Sequence, residues 1–352
     1  DGQKSGFPVN DNSVSLESLG WTKRNREDLQ LPKGHGVSRV VVEHRGAYEL
    51  LGPHGSCEAV LDSVTRDQAD EPMDYPAVGD WVIHSLEPID NRRVAIAEIL
   101  PRHSVITRRA SGAAPLPQVV GANIDTLVIV TSSDQDVDEH LIERYLVTAI
   151  GGGASPVIVV NKTDLGDGDA IRERLIRRGV EYPILMISAI TGDGMSALAD
   201  LLVNGATLAF TGPSGVGKST LVNRLVGDSI LATGAVSEEG SGRHTTVRRE
   251  MLVAGGGVLI DTPGLREVQL WNGEGLDEVF SDVARLAVQC KFANCSHRDE
   301  PDCGVLDAAA RGDLNPSRLA SYIDLCHELS ELADEINEYQ RTRRRQRDAR
   351  RD

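Results

Sequence analysis

The sequence is poor in aromatic residues, in positive charge and in long apolar runs, and these shortages exclude several classes of protein. Phe, Trp and Tyr together make up 4% of the 352 residues. The formal net charge of −16 excludes a chain coated in basic surface, so any contact with nucleic acid must be local. The sequence has no apolar run long enough to span a bilayer, and its polar first residues do not resemble a secretory signal peptide.

Cysteine is also scarce, because the chain has only five. An odd number in a long chain does not suggest a disulfide framework, so we expect a reducing, cytoplasmic location. The hydrophobic content of 40% is enough for packed cores. A chain of 352 residues is expected to form two or three domains.

The clearest motif is a phosphate-binding loop of the form G-x-x-x-x-G-K-[ST]. An apolar run at 207–210 predicts a buried strand before it, and residues 221–225 begin a helix after it. Glycines let backbone amides turn toward phosphate oxygens, and the helix adds its positive dipole end. Lys218 would reach the β- and γ-phosphates, and Ser219 would bind Mg²⁺. The predicted residues of this loop are Gly212, Pro213, Ser214, Gly215, Val216, Gly217, Lys218, Ser219 and Thr220.

A second motif predicts which base is bound. Asn161, Lys162 and Asp164 form an N-K-x-D sequence directly after a predicted strand. A carboxylate at Asp164 accepts hydrogen bonds from N1–H and the exocyclic amine of guanine, a donor pair that adenine lacks. Ser188 and Ala189 follow the next strand and offer a backbone amide to guanine O6. The pattern predicts GTP rather than ATP.

Two predicted switch segments complete the nucleotide site. Asp261 and Gly264 belong to a D-x-x-G motif that would contact Mg²⁺ through water and sense the γ-phosphate. Thr246, in the glycine-rich stretch 240–246, would complete the Mg²⁺ coordination. Many GTPases orient the attacking water with a glutamine after D-x-x-G, but this chain has Leu265. We therefore predict His244 as the group that positions the water, the alternative being a histidine that only caps or packs its loop. The predicted catalytic set is His244, Lys218 and Thr246.

The order of these motifs is unusual. Apolar runs at 125–130, 156–160 and 184–187 alternate with helical patterns at 138–150 and 170–178, which predicts a mostly parallel sheet with helices on both faces. Ligands bind at the carboxyl ends of such strands. Base-reading motifs precede the phosphate loop here, whereas ordinary GTPases have the reverse order. The chain thus predicts a circularly permuted GTPase domain.

The segment before this domain has a different character. Five short apolar runs between residues 37 and 102 predict a small β-barrel, for which the oligonucleotide-binding (OB) fold is one solution and another small β-domain the alternative. Residues 104–118 are predicted to form an exposed basic linker, and residues 1–36 a loosely docked extension.

The segment after the GTPase domain carries a predicted metal site. Cys290, Cys295, His297 and Cys303 lie within fourteen residues and make a closed Cys₃His set, typical of structural zinc. Cys326 and His327 are alternative ligands further along the chain. Residues 341–351 form the one dense basic run, which is either a solvated helix end or an arm for a polyanion.

Together these motifs and their permuted order resemble the family of small ribosomal subunit biogenesis GTPases RsgA, also called YjeQ. The resemblance rests on 212–219, 161–164, 242–246, 261–266 and the Cys₃His cluster. It implies a multidomain α/β protein that binds the 30S subunit and its 16S rRNA in the cytoplasm, as a monomer, and hydrolyses GTP when bound. The family has a hydrophobic residue at the position of Leu265, in agreement with this chain. The resemblance also implies one structural Zn²⁺, and Mg²⁺ bound with the GTP.

The implied domains are an N-terminal extension at 1–36, an OB-fold RNA-binding barrel at 37–103, a basic linker at 104–118, a circularly permuted P-loop GTPase domain at 119–270 and a helical zinc-binding domain with an arginine-rich tail at 271–352. RNA contacts are expected from the barrel, the arginines of 102–109 and the tail. Two other functions remain open: a regulatory GTPase without an RNA partner, and an RNA-binding zinc protein with a vestigial nucleotide site.

Overall fold

The computed structural model describes residues 14–22, 29–44, 46–90, 92–110, 112, 114–227, 250–261 and 269–348, with the backbone alone at 250, 261, 347 and 348. None of the described helices is both long and apolar enough to cross a lipid bilayer. The domain boundaries given above stay predictions.

The first folded unit is a closed five-stranded barrel. Its strands are β1 (His35–His44), β2 (Ala47–Gly52), β3 (Gly55–Leu61), β4 (Trp81–Ser85) and β5 (Arg93–Ile99). The strand order is β1-β2-β3-β5-β4, and β4 pairs back onto β1 to close the barrel. Helix α1 (Ser63–Gln68) connects β3 towards β4. The barrel confirms the predicted OB-like fold, because its five strands coincide with the five predicted apolar runs and the sheet closes on itself.

A two-stranded hairpin follows the barrel. It consists of β6 (Val105–Arg109) and β7 (Pro117–Ala122), paired antiparallel. The prediction of an exposed linker without secondary structure at 104–118 was therefore wrong. The side chain of Ile106 is fully buried, and Arg102 bonds the buried carboxylate of Asp80 at 2.7 Å. The basic residues of this segment lie on a strand whose side chains are buried or half-buried, and not in an exposed linker.

The GTPase domain contains a six-stranded sheet. Its strands are β8 (Thr126–Ser132), β9 (Ser155–Asn161), β10 (Ile184–Met186), β11 (Thr207–Thr211), β12 (Glu250–Ala254) and β13 (Gly257–Asp261). The order is β10-β9-β8-β11-β13-β12, and all pairs are parallel except β12 with β13. The predicted mostly parallel sheet is confirmed.

Helices cover both faces of this sheet. They are α2 (Glu139–Gly151), α3 (Gly168–Arg177), α4 (Met195–Ala199) and α5 (Lys218–Val226). Alternate residues of β8 belong to different cores: Ile129 packs in the cluster that contains Tyr145 of α2, and Val130 in the cluster that contains Leu221 of α5. The continuous apolar run of β8 thus reflects burial on both faces.

The barrel and the GTPase sheet are continuous. Strand β12 is the last strand of the GTPase sheet, and it pairs with β1 at Val42 and Glu250, which gives one sheet of eleven strands. This pairing is possible because β1 extends beyond residues 35–39, which pair with β4 to close the barrel. The backbone that follows the predicted switch segment at 240–246 is therefore hydrogen-bonded to the barrel.

One buried arginine joins the barrel to the GTPase domain. Arg39 is 1% exposed and donates to Gly79 O at 3.0 Å, Asn123 O at 3.0 Å and Thr207 Oγ1 at 2.9 Å. Its guanidinium lies 5.2 Å from the ring centroid of Trp81. Burial lowers the pKa of Arg39 to about 10, so it remains charged near neutral pH. These contacts fix the barrel against the sheet.

The C-terminal region is helical, as predicted. It contains α6 (Leu276–Val279), α7 (Ser281–Ala287), α8 (Gly304–Arg311) and the long α9 (Pro316–Asp348). The basic run lies in the last turns of α9, where residues 341–346 are exposed. Arg109 of the hairpin pairs with Glu335 of α9 at 2.5 Å, so α9 also contacts the segment before the GTPase domain.

Candidate nucleotide site and metal centre

The phosphate loop connects β11 to α5, and two of its glycines have no room for a side chain. Gly212 has φ +133°, and a Cβ there would lie 2.1 Å from Val130 O. Gly217 has φ +95°, and its Cβ would lie 2.3 Å from Asn161 Nδ2. Both positions combine a left-handed backbone with close contact, so any larger residue would displace the loop.

Lys218 begins α5 and folds back over the loop. Its Nζ donates to Gly212 O and Pro213 O, each at 2.6 Å. The ammonium group therefore already lies against the backbone that would surround a phosphate chain. Val216 is buried below the loop. The exposed residues of the motif are Ser214, Gly215, Ser219 and Thr220.

Asn161 links the phosphate loop to the loop at 188–190, which is called the base-reading loop below. It ends β9 and is 1% exposed. Its Nδ2 donates to Val216 O at 2.8 Å, and its Oδ1 accepts from Ala189 N at 3.1 Å. One buried amide thus satisfies a carbonyl and an amide on two separate loops, which fixes their spacing.

The other predicted base-reading residues lie beside it. Asp164 is exposed, and its Oδ1 accepts a hydrogen bond of 2.6 Å from Ser188 Oγ. Lys162 has φ +59°, and its Nζ pairs with Asp134 Oδ2 at 2.8 Å. The structure brings together Asn161, Lys162, Asp164, Ser188 and Ala189, at the carboxyl edge where α/β sheets bind ligands.

The predicted switch residues are only partly described. Asp261 is the last residue of β13, which pairs in parallel with β11, the strand that leads into the phosphate loop. His244, Thr246 and Gly264 lie outside the described residues. Their roles, and the magnesium contacts assigned to Ser219 and Thr246, stay predictions.

Sequence reasoning missed three residues that support the site. Asp134 pairs with Lys162, Gln135 lies against Gly215, and Arg224 of α5 contacts the base-reading loop. A signal existed for the first two, because the polar run 133–136 directly follows β8 at the same edge of the sheet. Arg224 carried none, since exposed arginines on helices are common.

The four predicted zinc ligands converge. Their ligand atoms all lie within 4.8 Å of one another. Cys290 Sγ is 3.5 Å from His297 Nδ1 and 3.7 Å from Cys303 Sγ, and His297 Nδ1 is 3.4 Å from Cys303 Sγ. A tetrahedron with Zn–S bonds of about 2.3 Å and Zn–N bonds of about 2.0 Å has edges of about 3.5–3.8 Å. The cluster, completed by Cys295, can therefore hold a metal and fits zinc.

The alternative ligands do not join this group. Cys326 and His327 lie on α9, and neither belongs to the four-residue cluster. His327 Nδ1 lies 3.5 Å from Glu331 Oε2 on the same helix. This leaves Cys290, Cys295, His297 and Cys303 as the set that the fold assembles.

A carboxylate organises the loop between the ligands. Glu300 Oε1 accepts from the backbone N of Ser296 at 2.7 Å and from its Oγ at 2.5 Å, and Oε2 accepts from Arg298 N at 3.1 Å. The hydrogen bonds from Ser296 hold the pKa of Glu300 well below its usual range. The ionised carboxylate thus supports the backbone next to His297.

Comparisons with known proteins place the chain in a family. A family model described as RsgA GTPase matches residues 99–271. The small ribosomal subunit biogenesis GTPase RsgA of Opitutus terrae is 40% identical, with 92% of each chain covered. The chain belongs to the RsgA GTPase family. A protein of the same name from Streptomyces coelicolor is 37% identical over 90% of this chain and 87% of its own.

Two solved structures agree with the fold. YjeQ from Thermotoga maritima is 28% identical, with a TM-score of 0.62 over 84% of this chain and 98% of its own. YloQ, described as a circularly permuted GTPase, has a TM-score of 0.61 at 23% identity, over 86% of this chain and 98% of its own. The predicted permutation is confirmed, and as an RsgA GTPase the chain is a GTP hydrolase.

Proposed function

We propose that the protein binds the small (30S) ribosomal subunit through its 16S rRNA and hydrolyses GTP in response to that binding, late in subunit maturation. The observation that carries the proposal is the pairing of β12 with β1. The strand that follows the predicted switch segment at 240–246 is part of the barrel's sheet. A conformational change at the nucleotide site would therefore be transmitted to the barrel. The relatives, which are named small ribosomal subunit biogenesis GTPases, support the ribosomal partner.

The nucleotide contacts belong to the same proposal. GTP would lie between the phosphate loop and the Asp164–Ser188 pair, with its triphosphate near Lys218. Mg²⁺ would bind with GTP at Ser219 and Thr246, near Asp261 and Gly264. Zinc, held by the Cys₃His cluster, would be structural because the four protein ligands leave no open position. We place the protein in the cytoplasm, as a monomer.

The sequence predicted RNA contacts from the arginines of 102–109, but these side chains have partners within the protein. Arg102 is engaged by Asp80, Arg108 donates to Gln118 at 3.0 Å, and Arg109 pairs with Glu335. These arginines stabilise the protein's own fold. The exposed arginine-rich end of α9 is the better candidate for phosphate contacts, and such contacts would make affinity fall with added salt.

The choice of base can be tested at Asp164. Asp164→Asn is expected to weaken GTP binding by roughly 2–4 kcal/mol, because two hydrogen bonds to the base are lost. Xanthosine triphosphate should bind relatively better, since its O2 complements an amide. Titration of fluorescent nucleotides measures both affinities, with Asp169→Asn, an exposed position on α3, as the matched control. Unchanged GTP affinity would contradict the assignment.

The proposed ribosome-dependent step can be tested by GTP turnover with and without purified 30S subunits. In our proposal His244 positions the attacking water, which Leu265 cannot do. His244→Ala is expected to reduce 30S-stimulated turnover by at least about tenfold while leaving GTP affinity near normal. His327→Ala is the control, because that side chain is 53% exposed on α9.

Three outcomes are distinguishable. Stimulation of the wild type by 30S subunits supports the ribosomal function, and the absence of stimulation would sink it. Full stimulated activity in His244→Ala would leave the ribosomal partner in place but assign water positioning to the ribosome or to another residue.

A further inference from the structure

Arg224 makes two contacts that the proposed chemistry does not use. It lies in the last turn of α5, the helix that begins with Lys218. Its Nε donates to Ala189 O and its Nη2 donates to Ile190 O, both at 2.9 Å. The guanidinium therefore holds two consecutive carbonyl groups of the base-reading loop.

The loop also closes on itself, through hydrogen bonds from Gly192 N to Ser188 O at 2.9 Å and from Thr191 N to Ser188 Oγ at 3.1 Å, but these bonds do not join it to the phosphate site. Inside, Ser188 Oγ bonds Asp164 and Ala189 N bonds Asn161. Outside, the side chain of Ile190 is 72% exposed, so its burial contributes little to holding the loop. Arg224 ties this exposed side to a helix of the phosphate site.

We propose that Arg224 is a positioning residue for base recognition, which fixes the 188–190 loop at a set distance from the phosphate loop. The inference rests on the proposed binding of a guanine nucleotide at this site. Because Arg224 and Lys218 are on one short helix, the loop that would face purine O6 and the ammonium group that would face the triphosphate share a rigid support. Arg224 itself would act through the loop, since its contacts are to the carbonyl groups of Ala189 and Ile190.

Arginine suits this task better than other residues. Its planar fork presents several N–H donors in fixed directions, which matches two neighbouring carbonyl oxygens. A cation in the last turn of α5 also interacts favourably with the negative end of the helix dipole. A lysine in its place would retain the charge but reach only one carbonyl well.

The proposal predicts a specific pattern across nucleotides. Guanine and hypoxanthine both carry O6, whereas adenine carries an amine there. Loosening the 188–190 loop should therefore weaken GTP and ITP by the same factor and leave ATP and inorganic triphosphate unaffected. Loss of the Asp164 contact would behave differently, because hypoxanthine lacks the amine that Asp164 would bind.

The test compares R224M, R224K and the control R172M, an exposed arginine on α3. Dissociation constants for GTP, ITP, ATP and inorganic triphosphate are measured by competition with a fluorescent GDP analogue on the full-length protein. We expect R224M to weaken GTP and ITP equally, by about fivefold. R224K should fall between R224M and wild type, and R172M should match wild type.

Other results would overturn the inference. A parallel loss for ATP and inorganic triphosphate in R224M would show that Arg224 only stabilises α5. No change for any nucleotide would show that the loop is held without it. If wild type itself does not prefer GTP to ATP, the proposed guanine site fails and the inference fails with it.

Discussion

Replacing Glu143 with alanine is expected to lower the free energy of unfolding by about 3–5 kcal/mol. Its side chain on α2 is fully buried and contacts two arginines that are themselves buried. Arg178 donates to Glu143 at 2.8 Å and 2.9 Å, and Arg318 of α9 donates at 3.2 Å. The variant would leave two guanidinium groups in the interior without their shared anion.

The arginines retain other partners, which keep the expected loss within this range. Arg318 also pairs with Asp282 of α7 at 2.6 Å, and Arg178 pairs with Glu139 at 3.0 Å. The guanidinium of Arg318 lies 4.7 Å from the ring centroid of Phe280. The cluster joins α2 of the GTPase domain to α7 and α9, so its loss should also loosen the C-terminal region.

Urea unfolding of the wild type and two variants measures this effect. The matched control is Glu173→Ala, because Glu173 pairs with Arg177 at 3.1 Å on the same helix and their side chains are 68% and 65% exposed. An exposed pair of this kind contributes at most about 0.5 kcal/mol. Equal losses in the two variants would contradict a stabilising role for the buried cluster.

Loss of zinc is expected to have the second large effect. Cys303→Ser should release the metal and unfold the segment around α8, because Cys303 is 2% exposed and its Sγ also accepts from Leu306 N in the first turn of that helix. Zinc binding supplies about 10–16 kcal/mol in small zinc modules. Here part of that free energy would be lost locally, while GTP binding should stay near normal.

Metal analysis and hydrogen exchange test this expectation. Wild type should contain one zinc per chain, and Cys303→Ser should contain little and exchange faster across 290–311. Cys326→Ser is the control, since that thiol lies on α9 outside the cluster. Equal zinc loss in both variants would refute the assigned ligand set, and an absence of zinc from purified wild type would refute the zinc site itself.

The features that the sequence predicted well depend on neighbours in the chain. The phosphate loop was recognisable because glycines 212 and 217, the lysine after them, and the flanking strand and helix all lie within about twenty residues. The zinc ligands lie within fourteen residues for the same reason. The alternation of apolar runs gave the parallel sheet, since periodicity reflects which faces are buried.

The failures concern pairings between distant parts of the chain. The basic character of 102–109 suggested an exposed linker, but Arg102 has Asp80 as a buried partner and Arg109 has Glu335, 226 positions away. Many acidic residues could have served as partners. Only the folded chain selects among them, because charge alone specifies no distance or direction.

The sequence alone determined the kind of site. A phosphate loop, a guanine-reading motif and a Cys₃His set were each recognisable from local spacing, and the order of the motifs along the chain showed the permutation. The tertiary structure decided how these parts are joined. Asn161 bridges Val216 and Ala189, Arg224 holds the base-reading loop, and β12 continues the sheet into the barrel at β1. These contacts form between segments that are separated in sequence, so they depend on the packing that brings the segments together and leave no periodic pattern in the chain.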